Sequence, residues 1–285
     1  MRHLRRTLAV CALAALAIGA AGAASASATE YPLTGLPEIG RCVKAATPKT
    51  GEFKGAKCIT KSKTNTGEYN WAPGPDGKPG VKVRFLSPSL VTTGGNKINR
   101  TFIFLEEGAV TSGKELTFKK VTMQGCIMVG TPFSCFSNPS EPGTIESTSA
   151  LKGEVGFIPG SKNAASPWVG MDLKPESELT KTVVEFFCGE ANAAPIYQVA
   201  LEGSVIGRVK PLGKMVETGK FELLYKQKEG VQIPTAFKEG VEDVLTQVTT
   251  PILNPLAKKT EQVGLASFAE MEIEEPLEIR NKQIG

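Results

Sequence analysis

The chain has 285 residues, of which 41% are apolar and 22% charged, and its net charge is +4. The apolar fraction is too high, and the net charge too small, for an intrinsically disordered chain. Its 30 glycines fall far short of the one-third that a collagen-like repeat requires. We therefore expect an ordinary globular protein with one large domain or two small ones.

Residues 1–28 have the features of a secretory signal peptide. Three arginines precede an uncharged, alanine-rich run over 8–24, and Ala26-Ser27-Ala28 supplies the small residues of a cleavage site. A membrane anchor is the less favoured interpretation, because the run is weakly hydrophobic and no stop-transfer charges follow it. No later stretch has the ~20 apolar residues that span a bilayer. The sequence thus predicts a secreted or extracytoplasmic protein of the cell envelope, with no transmembrane segment after cleavage.

Removal of this segment changes the charge and the available chemistry. Three of the 33 basic residues lie within it, which leaves 30 against 29 acidic residues. This near-neutral balance implies neither a nucleic-acid partner nor an anionic membrane surface. The only histidine, His3, is removed as well. Histidine-dependent catalysis, imidazole-held zinc and histidine-ligated haem are therefore excluded from the mature chain.

Chemistry that does not need histidine leaves few options. The sequence contains no phosphate-loop, dinucleotide-binding or calcium-loop pattern, so we expect neither a cofactor nor a metal site. Paired carboxylates can cleave glycosides, but the many glutamates do not single out any pair. Catalytic residues are unassigned, and a protein that is not an enzyme is the favoured interpretation.

Five cysteines remain after cleavage, and an odd number in an exported chain favours two disulfides and one unpaired thiol. Proximity in the sequence favours the pairs Cys42–Cys58 and Cys126–Cys135. Cys188 would then be the free thiol. Its phenylalanine neighbours favour a buried, inert thiol over a reactive one.

Strand patterns dominate the chain from position 81 onward. The segment 81–85 alternates between apolar and charged residues, as a strand with one buried face does. Glycine, proline and asparagine separate the successive segments, which predicts an all-β fold, an antiparallel sandwich or barrel with many short strands. The predicted strands are 81–85, 98 with 101–105, 116–123, 144–147, 154–158, 169–173, 182–188, 196–201, 204–209, 220–225 and 270–279.

One segment has a different period. Phe237, Val241, Leu245 and Val248 follow the spacing of an amphipathic helix. The sequence therefore predicts one helix near 235–249, packed on the β-structure.

Two units are predicted in the mature chain. Residues 29–80 form a disulfide-tied β unit, in which Thr-Gly-Glu-Phe at 50–53 recurs as Thr-Gly-Glu-Tyr at 66–69, and it ends in a proline- and glycine-rich loop at 72–80. Residues 81–285 form the main β domain. Whether the two units are continuous is left open by the sequence.

Trp71 and Trp168 are candidate binding aromatics. Both lie beside loops, where aromatic platforms for carbohydrates or peptides are often built. The favoured alternative is that each tryptophan covers the core at the edge of a sheet.

As a set, several stretches of the mature chain resemble a family of uncharacterised exported proteins from high-GC Gram-positive bacteria. The resemblance implies an N-terminal signal and a β-rich fold, and it carries no activity. Members often have an additional cysteine near the positions of Asn99 and Arg100, which implies that Cys188 has lost its partner. The matching stretches are 36–44, 50–53, 66–69, 151–158, 170–175, 187–189, 203–207 and 275–279.

The leading hypothesis for function is a non-catalytic binding or structural module at the cell envelope or outside the cell. Its partner would be a cell-wall glycan or an extracellular protein. The alternative is a carboxylate-based hydrolase or lyase that acts on extracellular polysaccharide. An inhibitor or interbacterial interaction protein is a third possibility.

Overall fold

A computed structural model describes residues 35–147, 150–163, 165–177, 179–238 and 240–282. The predicted signal peptide at 1–28 lies outside these ranges. Within them the protein has twenty strands, which pair antiparallel, and one 3-10 turn at Pro255–Ala257. The predicted all-β fold class is confirmed.

The strands form two sheets. β1, β2 and β20 make a three-stranded sheet in the order β2-β1-β20, and the other seventeen belong to one large sheet. The strands are β1 (Glu38–Lys44), β2 (Tyr69–Pro73), β3 (Gly80–Thr92), β4 (Lys97–Asn99), β5 (Phe102–Val110), β6 (Glu115–Phe118), β7 (Lys120–Gln124), β8 (Ile127–Met128), β9 (Ser134–Phe136), β10 (Ile145–Ser147), β11 (Leu151–Phe157), β12 (Val169–Pro175), β13 (Thr182–Gly189), β14 (Tyr197–Gly203), β15 (Val205–Lys210), β16 (Lys220–Lys228), β17 (Val231–Ile233), β18 (Leu245–Pro251), β19 (Lys259–Ile273) and β20 (Glu278–Arg280).

The large sheet closes on itself. One path of paired strands runs β3-β5-β6-β11-β12-β15-β16-β19 and returns to β3. A second path runs β3-β4-β8-β9-β13-β14-β18-β19 and also returns to β3. The two rings therefore share the β3–β19 pair, which we call the seam.

A bend in the seam allows β3 and β19 to pair with strands of both rings. The pairing of β3 with β19 shifts register between Ala266 and Phe268, and Ser87 on the facing strand has a φ of 46°. Such a bulge bends a strand and leaves a backbone group without its ladder partner. The Ser267 hydroxyl donates a hydrogen bond of 3.1 Å to the Leu86 carbonyl and so satisfies it.

The interior of the rings is one apolar core. Val81, Val83 and Phe85 point into it, whereas the charged residues between them are exposed, as the alternation in the sequence predicts. The same alternation in β11, in β16 and in the C-terminal half of β19 supplies other walls. The residues that face outward from these strands are therefore free to form surface sites.

The helix predicted near 235–249 is wrong. Residues 245–251 are β18, which pairs with both β14 and β19. The apolar residues also fail to share one face, because Val241 is 88% exposed while Leu245 and Val248 are buried. The β-branched residues of this segment favour a strand, and the two partner strands override the helical spacing. In the described part of the chain, no helix has the length and apolarity needed to cross a membrane.

The structure contains two disulfides, of which one differs from the expected pairing. Cys42 is bonded to Cys58, as their proximity predicts. Cys135 is bonded to Cys188 and not to Cys126, which is the buried free thiol. The reason is register: Cys135 of β9 lies directly opposite Cys188 of β13. The prediction of Cys126–Cys135, with Cys188 free, is therefore wrong.

This arrangement gives a testable thiol count. We expect the folded mature chain to show no reactive thiol with a thiol-specific dye, because Cys126 is fully buried. In denaturant we expect one thiol per chain, and peptide mapping should place the label on Cys126. Label on Cys188 would contradict the observed pairing.

The small sheet joins the start of the described chain to its end. β20 pairs with β1 through Ile39 and Ile279, so the sheet of the N-terminal unit is completed by a strand from the other end. Arg280 lies between two aromatic rings, 4.3 Å from the Trp71 centroid and 5.6 Å from that of Phe53. Its guanidinium also donates two hydrogen bonds, of 3.0 and 3.1 Å, to the carboxylate of Glu278.

Candidate functional site

A cleft lies beside the outer face of β11 and β12 and is bounded by the end of β14 and the start of β18. A segment that we call the cover segment (235–238 and 240–244) runs across this face. Gly156 and Gly170 are opposite each other in β11 and β12, and Gly156 provides a floor without a side chain. The Phe237 ring rests there, so close that a Cβ at Gly156 would lie 2.7 Å from it. The cover segment is thus held by packing on glycine as well as by the hydrogen bond from Lys238 N to Phe157 O.

Three charged side chains meet beside this floor. Glu154 of β11 is directly opposite Asp172 of β12, and Lys174 projects from the same face two residues farther on. The Lys174 ammonium lies 2.7 Å from Glu154 Oε2 and 3.6 Å from Asp172 Oδ2. One ammonium therefore holds both carboxylates.

Asp172 is the most constrained of the three groups. Its side chain is 0% exposed, and neither carboxylate oxygen has a hydrogen bond of good geometry. Burial raises the pKa of Asp172 to about 6, and the nearby charge of Asp243 adds to this rise. The nearby Lys174 ammonium and Ser204 hydroxyl lower the pKa of Asp172, but by less than its burial raises it.

The neighbours of Asp172 respond to its charge. Burial lowers the pKa of Lys174, but the hydrogen bond to Glu154 and the charge of Asp172 outweigh this effect, so that the pKa is raised. The pKa of the Tyr225 hydroxyl, in the core beneath, is raised by burial and by Asp172. Lys174 is therefore firmly cationic at neutral pH, and Tyr225 is neutral.

The cleft beside this cluster has a volume of about 480 Å³. Its lining combines both signs of charge with hydroxyl groups, and none of the described residues that line it is aromatic. The polar lining residues are Lys152, Lys174, Lys181, Glu202, Glu242, Asp243, Ser177, Thr180, Ser204 and Thr246.

The pair formed by Glu154 and Asp172 does not fit the cleavage of a glycosidic bond. Such a reaction requires two carboxyl groups that flank the substrate with open space between them. Here the Lys174 ammonium occupies the space between Glu154 and Asp172, and the buried Asp172 cannot touch a substrate. The arrangement fixes a cation at the cleft.

The structure also bears on metal binding. Within the described ranges, no three His, Cys, Asp or Glu side chains come together as a group that would hold a metal ion.

Trp71 is a structural residue of the small sheet. It lies on β2 opposite Cys42, and a Cβ at Gly40 would approach its ring to 2.3 Å. Arg280 covers the ring as described above. Since the ring contacts Gly40 and Arg280, Trp71 offers no open platform for a ligand.

Trp168 lies at a different surface groove, of about 460 Å³, which Arg208, Lys210 and Glu222 also line. The Arg208 guanidinium lies 3.7 Å from the centroid of the Trp168 ring. A cation–π contact of this kind stabilises the pair and covers one face of the ring. The structure does not bring Trp71 and Trp168 together in one site.

Sequence reasoning missed Glu154, Asp172 and Lys174. A signal was present, because Asp172 lies between Met171 and Leu173 in a predicted strand, where a carboxylate is unusual. The sequence could not show that a distant segment covers this face and removes the carboxylate from water.

Comparison with known proteins gives no assignment: no family model, no curated protein and no solved structure matches the chain.

Proposed function

We propose that this protein is an exported, non-catalytic binding module of the cell envelope or the extracellular space. Its ligand in the cleft is a polar chain, either a cell-wall glycan or a segment of an extracellular protein. The observation that supports this most is the charge pattern of the cleft, in which Lys174 is fixed between two carboxylates and further charges and hydroxyl groups line the walls. Such a surface provides both donors and acceptors for a hydroxylated or zwitterionic ligand.

The two disulfides support the proposed location. Disulfides form and persist in oxidising compartments and are rare where thioredoxin and glutathione act. Cys42–Cys58 ties the N-terminal unit, and Cys135–Cys188 links two neighbouring strands of the second ring. Both are consistent with a protein that works outside the cytoplasm.

The test is a binding screen of the mature chain against glycan and peptide arrays that include peptidoglycan fragments. Lys181 is an exposed cleft residue, so we expect Lys181→Glu to weaken capture of the ligand by roughly tenfold, as loss of a charge-assisted contact does. Lys63→Glu is the matched control, because Lys63 is exposed and lies outside the cleft lining. It should bind as the unchanged chain does.

Two results would count against the proposal. Equal binding by the Lys181 variant and the unchanged chain would place the ligand elsewhere. Release of shortened products from any arrayed polysaccharide, detected by mass spectrometry, would contradict a non-catalytic role and favour the carboxylate-based hydrolase or lyase.

A further inference from the structure

The second ring opens to solvent through a cavity of about 340 Å³ between β4, β8, β14, β18 and β19, which we call the mouth. Deeper in the ring, Val199 of β14 and Val263 of β19 are fully buried in the core. Tyr197 and Glu261 lie two residues before them on the same strands, and Thr249 of β18 is directly opposite Val199. These three residues therefore share the interior face, and all three line the mouth. The open end of a closed sheet is a place where ligands often bind.

The mouth and the cleft described above are separate sites. Successive residues of a strand point to opposite faces of a sheet. In β18, Thr246 lines the cleft and Gln247 lines the mouth. No described residue lines both. A ligand in the mouth is thus additional to the ligand proposed for the cleft.

Two aromatic rings form one wall of the mouth. The centroids of Phe133 and Tyr197 are 6.2 Å apart, and the ring planes are tilted by 55°. One disulfide fixes the position of both residues, because Cys135 is two residues after Phe133 and Cys188 lies directly opposite Tyr197. Both aromatic residues are half-buried. The face of such a ring carries partial negative charge and attracts the polarised C–H groups of a ligand.

Polar groups of the mouth form a fixed network. The Lys259 ammonium lies 3.0 Å from Glu261 Oε2, and the same oxygen accepts a hydrogen bond of 3.3 Å from the Asn96 amide. The Thr249 hydroxyl accepts a hydrogen bond of 3.1 Å from the side-chain amide of the buried Gln247. Since this bond uses the Thr249 oxygen as acceptor, its O–H remains available to donate.

The charges of the mouth balance each other. Lys259 and Glu261 are the charged residues among the described lining, and they form an ion pair. A charged ligand would have to compete with this pair or remain without a counter-charge, which is unfavourable in a partly buried site. A neutral ligand with hydroxyl groups avoids this penalty.

The ring also bears on whether a peptide could bind. Extended peptides are commonly bound by addition to an open sheet edge. Around the mouth, each strand of the second ring pairs with a neighbour on either side. The mouth therefore offers side chains and not a free strand edge, which favours a sugar over a peptide.

We propose that the mouth binds one neutral sugar residue of a glycan, a hexose or an N-acetylhexosamine. The apolar face of the sugar packs on the aromatic pair, and its hydroxyl groups bond to Thr249 and to the network around Glu261. The size fits, because a cavity of about 150 Å³ holds benzene and a hexose has about twice as many non-hydrogen atoms. The open side of the mouth lets the rest of the glycan continue into solvent.

The experiment is isothermal titration calorimetry of the mature chain. The neutral ligands are the methyl glycosides of glucose, galactose, mannose and N-acetylglucosamine, together with their di- and trisaccharides. The charged counterparts are the uronic acids, the sugar phosphates and N-acetylmuramic acid, at the same ionic strength. We expect at least one neutral sugar to bind at millimolar concentration. Its charged counterpart should bind at least about tenfold more weakly.

Two variants test the two kinds of contact, and thermal melts confirm that each is folded. Thr249→Val removes one hydroxyl and should weaken sugar binding roughly fivefold. Tyr197→Ala removes one ring and should weaken it at least about tenfold, whereas Tyr197→Phe keeps the ring and should bind more tightly than Tyr197→Ala. Thr250→Val is the matched control for Thr249→Val, because Thr250 is the next residue of β18 and lies outside the mouth lining. It should bind the sugar as the unchanged chain does.

Several results would overturn this proposal. They are the absence of binding by every neutral sugar, tighter binding of the charged counterparts, and equal affinities of Thr249→Val and Thr250→Val. Capture of a peptide that Thr249→Val abolishes, without any bound sugar, would assign the mouth to a protein partner instead. Lys181→Glu alters the cleft and should bind the neutral sugar normally, so failure of this site and failure of the proposed function are distinguishable.

Discussion

Replacing both Cys135 and Cys188 by alanine is expected to lower the free energy of unfolding by about 4 kcal/mol, the largest effect among these predictions. A disulfide restricts the unfolded chain, and the restriction grows with the length of the closed loop. This pair is separated by 53 positions. The pair Cys42–Cys58 is separated by 16, so its removal should lower the free energy of unfolding by about 3 kcal/mol.

Urea unfolding of the two double variants at pH 7, in a Cys126→Ser background, measures both values. The same background with all four remaining cysteines is the reference. A Cys135/Cys188 variant as stable as that reference would contradict the observed bond. A larger loss from the Cys42/Cys58 variant would show that packing in the small sheet outweighs loop length.

Asp172→Asn is expected to stabilise the protein at pH 7 by roughly 3 kcal/mol. The pKa of Asp172 is raised from 3.8 to about 6, and each pKa unit corresponds to about 1.4 kcal/mol. Between these two values the folded state binds more protons than the unfolded state, so stability falls as the pH rises. The asparagine side chain carries no charge and should remove this dependence.

Chemical denaturation at pH 3.5, 5 and 7 measures the effect. The free energy of unfolding of the unchanged chain should fall between pH 3.5 and pH 7 because Asp172 ionises. The Asp172→Asn variant should not show this fall. Asp76→Asn is the matched control, because the Asp76 side chain is 66% exposed, and its effect should stay within about 1 kcal/mol. A variant that is less stable than the unchanged chain at pH 7 would show that the ionised carboxylate stabilises the fold.

The strand pattern was readable from the sequence because one face of most strands is buried. The alternation at 81–85 and the short β-branched segments through 225 correspond to observed strands. The helical spacing over 237–248 does not correspond to a helix, because it arises by chance in residues that belong to a loop and to β18. Pairing with β14 and β19 determines that residues 245–251 form a strand and not a helix. Because these partner strands are distant in the sequence, the spacing of apolar residues within the segment cannot predict the pairing.

The candidate sites depend on the same long-range pairing. Asp172 is an ordinary polar residue in the sequence, and it becomes unusual only when the cover segment removes it from water. The cysteines show the limit most clearly. Cys126 is near Cys135 in the sequence, but the register of β9 and β13 places Cys188, and not Cys126, opposite Cys135. Composition alone leads to the expectation that a mature chain without His3 has no histidine chemistry, because that expectation does not depend on strand pairing.

The seam and the small sheet also determine when the protein can finish folding. β1 cannot pair with β20, and β3 cannot pair with β19, until these later strands have been synthesised. Arg280 and Cys58, which meet in the folded protein, are 222 positions apart. During synthesis, therefore, β1 lacks β20 and the 13-residue β3 lacks β19 until residues 259–280 emerge. Open strand edges of this kind pair readily with other chains. Shortening the chain by its last two strands should thus convert the folding protein into an aggregating polypeptide.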